Sequence, residues 1–188
     1  MPGTPIIYYG DEIGMGDNFY LGDRNGVRTP MQWSADRNAG FSKANPQRLF
    51  LPVIVDPEFH YEAINVDVQL KNISSLFWWM RKILFVRRRH KAFSHGAIEF
   101  LHPTNAKVLA FLFAVTKVKP SLWSPIFPGS RSPSPLTCQE FGGHRAEELF
   151  GGGAFFEITE SPIFFTIGPN DFYWLLLTEA TLFRWARR

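Results

Sequence analysis

Polar and apolar positions fall into three regimes along the 188 residues of the chain. Thr4 to Gly10 (TPIIYYG) is a short unbroken apolar run bounded by Pro and Gly. It reads as a strand with both faces covered, as in a parallel sheet. From Asp11 to Pro57 no period survives, and Gly, Pro, Asn and Asp punctuate the whole stretch. This predicts a long irregular loop, and a loop of that length inside a compact domain is more often functional than not. Order returns in NISSLFWWMRKILFVRRRH, where Leu76, Phe77, Met80, Ile83 and Leu84 recur at three- and four-residue spacing. The pattern predicts an amphipathic helix capped by Asn72 or Ser74.

Beyond that helix, AIEFLHP (Ala97 to Pro103) and KVLAFLFAV (Lys107 to Val115) predict two strands joined at the turn Pro103-Thr104-Asn105, a hairpin that opens a new antiparallel domain. Lys117 to Arg145 breaks the pattern, with five of the chain's 14 prolines and no acidic residue before Glu140. No strand is expected there. EELFGG, FFEIT, PIFFTIGP and FYWLLL then restore short apolar segments with turn signals between them, which complete a small β domain.

Composition narrows the function classes. An apolar share of 45% is enough for one good core or two small ones. The net charge of +3, from 20 basic and 17 acidic residues, makes no case for nucleic acid or an anionic membrane as partner. The basic run Arg87, Arg88, Arg89, His90 and Lys91 is accounted for by the negative end of the helix it closes. Nothing resembles a secretory leader or a membrane-spanning helix, so the expected location is the cytoplasm. The lone Cys138 excludes an intrachain disulfide and a cysteine-rich zinc site. Phe155, Phe156, Phe172, Tyr173 and Trp174 would suit a sugar-stacking module, yet they lie within continuous apolar strands, which favours a core.

The opening loop holds the candidate chemistry. Asp11 and Glu12 are adjacent, so they point to opposite faces and cannot form the facing carboxylate pair that glycoside hydrolysis requires. A hydrogen-bond anchor and a loop support suit them better. Asp17 and Asp23 do not follow a Ca²⁺-loop spacing, and GMGDNF lacks the glycine spacing of a phosphate-binding loop. Arg28, between Gly26-Val27 and Thr29-Pro30, sits on a stiff turn. Its donor fork suits either a structural pairing with an aspartate or the recognition of a carboxylate or sugar hydroxyls.

PGTPIIYYGDEIGMGDN, YLGDRNGVRTPMQWSADRNAGFS, ANPQRLFLPVIVDP, INVDVQLKNISSLFWWMRKILFVRRRHKAF and EFLHP resemble the trehalose synthase (maltose α-D-glucosyltransferase) family of the α-amylase superfamily, glycoside hydrolase family 13. The resemblance runs nearly unbroken from Pro2 to Phe113 and returns at EELFG and SPIFFTIGPNDFYWLLL. RTPMQW alone is shared with hydrolytic α-glucosidases. The resemblance implies an α/β plus all-β chain: residues 1–95 as the last strand and helix of a (β/α)8 TIM barrel, residues 96–188 as a small antiparallel β-sandwich. It also implies an isomerisation of maltose to trehalose through a covalent glucosyl-enzyme, with the nucleophile and the acid/base upstream of the segment matching Pro2. No catalytic residue is then assigned, and the chain is expected to be an inactive C-terminal fragment. The alternatives are a fragment of a hydrolytic α-glucosidase or a non-catalytic carbohydrate-binding β module.

The resemblance carries substrate binding to Arg28, with Asp23 and Arg24 as candidates for the pocket rim. It implies maltose and trehalose as small-molecule partners, no nucleic acid, no membrane and no cofactor. Calcium, where the family binds it, takes ligands outside this chain, and a homo-oligomer stays open for the full-length enzyme. At Leu122 to Pro133, codons exist whose reading shifted by two nucleotides yields LVANLSRFSQP, matching the family's strand. The window 117–145 is therefore expected to be frameshifted, with Cys138 and its prolines carrying no function. A barrel strand without its neighbours would expose Ile6, Ile7, Tyr8, Phe77 and Trp78, so the isolated polypeptide is expected to aggregate.

Overall fold

The computed structural model describes residues 4–102, 108–114, 120–125, 132–136, 142–151, 153–159, 161, 163–167 and 172–179. Two compact units divide it, Pro5–Phe85 and one running from Val86 to Arg188.

Turns rather than regular elements build the first unit. Short 3-10 turns at Asp11–Ile13, Phe19–Leu21, Asp23–Arg28, Arg37–Gly40 and Pro46–Arg48 punctuate an otherwise irregular chain. This agrees with the missing periodicity between Asp11 and Pro57. Thr4–Gly10, by contrast, forms no strand: Ile6 is 93% exposed, and Ile7 and Tyr8 are also exposed. A strand is held by the ladder of a neighbour, and none lies beside this run among the described residues. The first turn is set by Gly10 and Gly14, at φ 95° and 72°, which flank Asp11–Ile13 and place Ile13 in the core. A Cβ at Gly10 would come within 2.7 Å of the Met15 sulfur, so both backbone sign and space call for glycine there.

Helix α1 (Val66–Lys71) and helix α2 (Leu76–Arg89) close the unit, with the division between units falling inside α2. The α1 cap is Asn65, whose Oδ1 accepts the Val68 N–H at 2.9 Å. Helix α2 begins later than its sequence pattern predicts, and neither Asn72 nor Ser74 caps it. Asn72 Oδ1 instead accepts from Ser74 N–H within the connecting turn. Gln69 reaches across from α1: its Oε1 accepts the Phe77 N–H at 3.2 Å, its carbonyl accepts the Ser75 hydroxyl, and its Nε2 donates to the Ile13 carbonyl. Phe77 and Trp78 are half-buried rather than exposed, because the Trp78 indole N–H donates to the Leu70 carbonyl and its ring meets Phe77 edge-on.

In the second unit a six-stranded antiparallel sheet has the order β1-β2-β3-β8-β5-β6, and β4 pairs with β7 separately. The strands are β1 (Ala97–Leu101), β2 (Ala110–Ala114), β3 (Pro120–Pro125), β4 (Ser132–Leu136), β5 (His144–Glu148), β6 (Ala154–Glu157), β7 (Ile163–Ile167) and β8 (Phe172–Glu179). The predicted hairpin is present as β1 and β2, from Ala97↔Ala114 to Leu101↔Ala110. Its turn lies outside the described residues.

Strand β2 is apolar without a break because both of its faces are covered. Ala110 and Leu112 join Ala146, Ile158, Leu175 and Leu177 on one side. Phe111 and Phe113 join Val86, Ala92 and Phe93 on the other, where α3 (Ala92–His95) packs. Strand β8 divides in the same way, Leu175 and Leu177 against Trp174, as the two-residue period of a strand requires. Phe156 and Tyr173 pack on the first cluster, and Phe150 lies 5.1 Å from Trp174 and 5.5 Å from Phe172, ring centre to ring centre. The aromatics considered as a stacking platform are thus half-buried, with Phe156 and Tyr173 packed on one cluster and Trp174 on the other, and the Phe155 side chain lies outside the described residues.

The proline-rich window differs from its expectation. Strand β3 lies between β2 and β8, with Leu122 opposite Leu112 and Leu175. Its prolines stand at the two ends, Pro120 and Pro125, where a missing donor costs least, and Ser121 to Ser124 keep their N–H groups for the ladders. In β4 the prolines alternate, Pro133 and Pro135, so both missing donors fall on one edge.

Candidate functional site

RTPMQW (Arg28 to Trp33) is buried at its centre and exposed at its ends. Thr29, Pro30, Met31 and Gln32 are buried, whereas Arg28 and Trp33 are exposed. Backbone and side-chain bonds account for this. The Gln32 and Trp33 carbonyls accept the Val66 and Asp67 N–H groups at 3.0 and 3.1 Å, which ties the segment to the start of α1. The Gln32 amide donates to the carbonyls of Phe59 and Ile64. The Tyr9 hydroxyl donates to the Thr29 carbonyl at 2.9 Å, and the Trp33 N–H donates to Ala39 at 2.9 Å. A buried, multiply tied segment thus presents a cation and an indole at its two ends.

Between them opens a cavity of about 460 Å³, lined by Arg28, Thr29, Pro30, Met31 and Trp33, by Tyr9 and Glu12, and by Phe41, Leu49, Phe50 and Leu51. Its volume lies within the range of small-molecule sites, and its walls are apolar and aromatic with few polar groups, the usual composition of such a site. The Arg28 guanidinium has no hydrogen-bond or ion-pair partner among the described residues. The structural Arg–Asp pair considered from sequence is therefore not formed here. The Tyr9 hydroxyl is raised above its ordinary pKa of 10.0, chiefly by burial and also by Tyr8, with Arg28 pulling in the opposite direction. It stays protonated, and so remains a donor, throughout the neutral range.

Asp23 and Arg24 are placed elsewhere. They pair with each other, Arg24 Nε to Asp23 Oδ2 at 3.2 Å, both exposed, and neither is among the described residues lining the cavity. Asp11 Oδ2 accepts the Tyr8 N–H and Glu12 Oε2 accepts the Gly10 N–H, each at 2.9 Å. They act as local anchors of a 3-10 turn rather than as opposite faces of a strand, and Glu12 also reaches the cavity wall. Tyr9, Phe41, Leu49 and Phe50 were not singled out from sequence, and Glu12 was read only as an anchor or loop support. Their only signal lay in the family-like strings YYGDEIG, SADRNAGFS and NPQRLFLPV, which carry no periodicity. Among the described residues no three His, Cys, Asp or Glu side chains are grouped to hold a metal ion, and no helix is long and apolar enough to cross a membrane.

An irregular, turn-built unit with an arginine fork at an aromatic cavity, continuing into a small antiparallel β unit, is an arrangement with known counterparts. The family model for the α-amylase catalytic domain matches residues 1–96. The chain belongs to the α-amylase family. It is 43% identical over 194 residues to a trehalose synthase of Pimelobacter sp. (strain R48), covering 95% of this chain and 32% of that protein. It is 44% identical over 187 residues to the trehalose synthase/amylase TreS of Mycolicibacterium smegmatis, with the same coverage of 95% and 32%. The chain thus spans about a third of the length of the curated relatives it matches. Among solved structures, the trehalose-6-phosphate hydrolase of Bacillus licheniformis superposes with a TM-score of 0.71 at 23% identity, over 95% of this chain and 36% of that one. That likeness is one of fold.

Proposed function

We propose that this chain supplies one wall of the glucose-binding site of a trehalose synthase, with Arg28 as the residue that holds sugar hydroxyls or a carboxylate facing them. The observation that carries the reading is the unpaired Arg28 guanidinium at the mouth of the aromatic cavity, fixed from behind by the buried centre of RTPMQW. Residues 1–95 then take the place of the last barrel strand and helix, and maltose isomerises to trehalose through a glucosyl-enzyme whose nucleophile and acid/base this chain does not supply. Asp11 and Glu12 take neither role in this reading, since their carboxylates accept the Tyr8 and Gly10 N–H groups. The chain alone is inactive in this reading.

The test is a graft. Residues 1–188 replace the matching segment of the Mycolicibacterium smegmatis relative, and products from maltose are followed by proton NMR. Trehalose is the expected main product. Arg28→Ala in the graft lowers kcat/KM by roughly 100-fold, because a hydrogen bond to a charged donor contributes about 1.5–3 kcal/mol. Glucose alone as product would move the reading to a hydrolytic α-glucosidase, and an Arg28→Ala graft with unchanged kcat/KM would remove Arg28 from the site.

The window 117–145 belongs to the same reading. We propose that it is translated out of frame and that LVANLSRFSQP is the strand intended for the slot β3 occupies. Replacing Leu122–Pro133 with that string restores donors and apolar side chains to a strand paired on both sides. The expected result is a higher melting temperature for the corrected chain, read by circular dichroism, and an unchanged or lower one would count against the shift.

A further inference from the structure

We propose that Tyr9 is a positioning residue for Arg28: by donating to the Thr29 carbonyl, its phenol holds the Thr29–Pro30 peptide, one residue beyond the Cα from which the Arg28 guanidinium projects into the cavity mouth. This rests on the sugar-binding reading of that cavity. The bond is 2.9 Å long and joins residues 20 apart in sequence, so it ties the Gly10–Gly14 turn directly to RTPMQW. Thr29 is 1% exposed and extended, at φ −63° and ψ 159°. Its carbonyl is fixed from one side by the phenol, while the side chain before it has no partner of its own among the described residues. Arg28 thus takes its direction from its backbone rather than from an ion pair.

Tyr9 and Arg28 also share the cavity wall. The phenol has two faces of influence: its hydroxyl fixes the backbone, and its ring, 4.7 Å from that of Tyr8, forms part of the aromatic lining. Tyr9→Phe removes the first and keeps the second. Since only a protonated phenol donates, the strut has a built-in pH limit. Its contribution is complete below the ordinary tyrosine value of 10.0 and is lost as the pH rises through the higher value in the folded chain.

The experiment is calorimetric titration of the full chain with maltose, from pH 7 to 11, for wild type, Tyr9→Phe, Arg28→Lys and the double variant. At pH 7, Tyr9→Phe is expected to weaken binding about tenfold, in line with one lost orienting hydrogen bond. The double variant should bind no more weakly than Arg28→Lys alone, because Tyr9 acts through Arg28. Wild-type affinity should fall above pH 10 while that of Tyr9→Phe stays flat. Additive effects, or equal pH profiles, would overturn the proposal and leave Tyr9 as a simple loop staple. The wild-type profile needs no variant, so a Tyr9→Phe chain that fails to fold does not remove the test. A chain that binds no maltose by itself, as one wall of a site can, leaves the sugar reading to the graft. Tyr9 is then judged by phenylglyoxal modification mapped by mass spectrometry, which needs no sugar. A Tyr9→Phe chain should modify Arg28 at least threefold faster with Arg24 unchanged, and an unchanged Arg28 rate would overturn the positioning role.

Discussion

Replacing Phe93 with alanine is expected to lower the stability of the unit running from Val86 to Arg188 by about 3–5 kcal/mol, the cost of emptying a buried phenylalanine site. Phe93 is 4% exposed and sits 5.3 Å from the Phe113 ring and 4.8 Å from that of Trp174. It is the largest side chain that α3 contributes to the cluster of Val86, Ala92, Phe111 and Phe113. Its loss leaves a void that neither the four-residue helix nor the paired strand β2 can collapse to fill. A small domain has about 5–15 kcal/mol in all, so a large part of the population would unfold. Urea titration followed by circular dichroism and tryptophan emission reads the effect, since Trp174 borders the void. Phe93→Leu should cost less than half as much, because most of the volume is kept. Equal midpoints for wild type and Phe93→Ala would mean that α3 does not pack on the sheet.

Asn65 is the second position where a single change is costly. It is fully buried, and both ends of its amide are used. Oδ1 caps α1 through the Val68 N–H, while Nδ2 donates to the Tyr61 carbonyl at 2.8 Å and to that of Glu62 at 3.3 Å. Asn65→Ala removes the cap, about 1 kcal/mol, and strands a buried carbonyl at about 1–3 kcal/mol, so a loss of about 2–4 kcal/mol is expected. Asn65→Asp separates the two terms. Aspartate is an equally good cap, but its carboxylate would face the Tyr61 and Glu62 carbonyls without a proton to donate. At neutral pH it should therefore be nearly as damaging as alanine and should recover as the pH falls far enough to protonate it. An Asn65→Asp chain as stable as wild type at pH 7 would show that the cap alone matters.

The sequence was legible where a residue's own period decides its structure. Helix α2, the β1–β2 hairpin and the β8 segment are all carried by side chains that repeat with the element. The long irregular stretch was equally readable, because Gly, Asn and Pro impose their own turns. What was hidden depends on a partner distant in sequence. TPIIYYG has the composition of a strand, but composition cannot supply the neighbour that would make it one. The start of α2 was missed because its cap comes from Gln69 on another helix rather than from Asn72 or Ser74 nearby. Strand β3 was missed because its prolines were counted without regard to position, and both stand at its ends. The stiff turn at Arg28 left a structural pairing and a recognition role equally open in the sequence, and its freedom from an aspartate partner could be read only from the structure. Asp23 and Arg24 were rim candidates through the family resemblance alone; as neighbours of opposite charge they pair with each other outside the lining of this cavity.

The place of β8 in the sheet has a consequence for synthesis on the ribosome. Its partners β3 and β5 are made tens of residues earlier, and β8 (Phe172–Glu179) is the strand that joins them. Until it emerges, β1-β2-β3 and β5-β6 are two separate ribbons, each with an open edge that can pair with another chain. Elongation at about 5–20 residues per second leaves those edges unsealed for seconds. Nascent chains stalled before Phe172 would therefore be the species most prone to associate, and a chaperone that shields strand edges would act on this protein while β8 is still missing from the sheet.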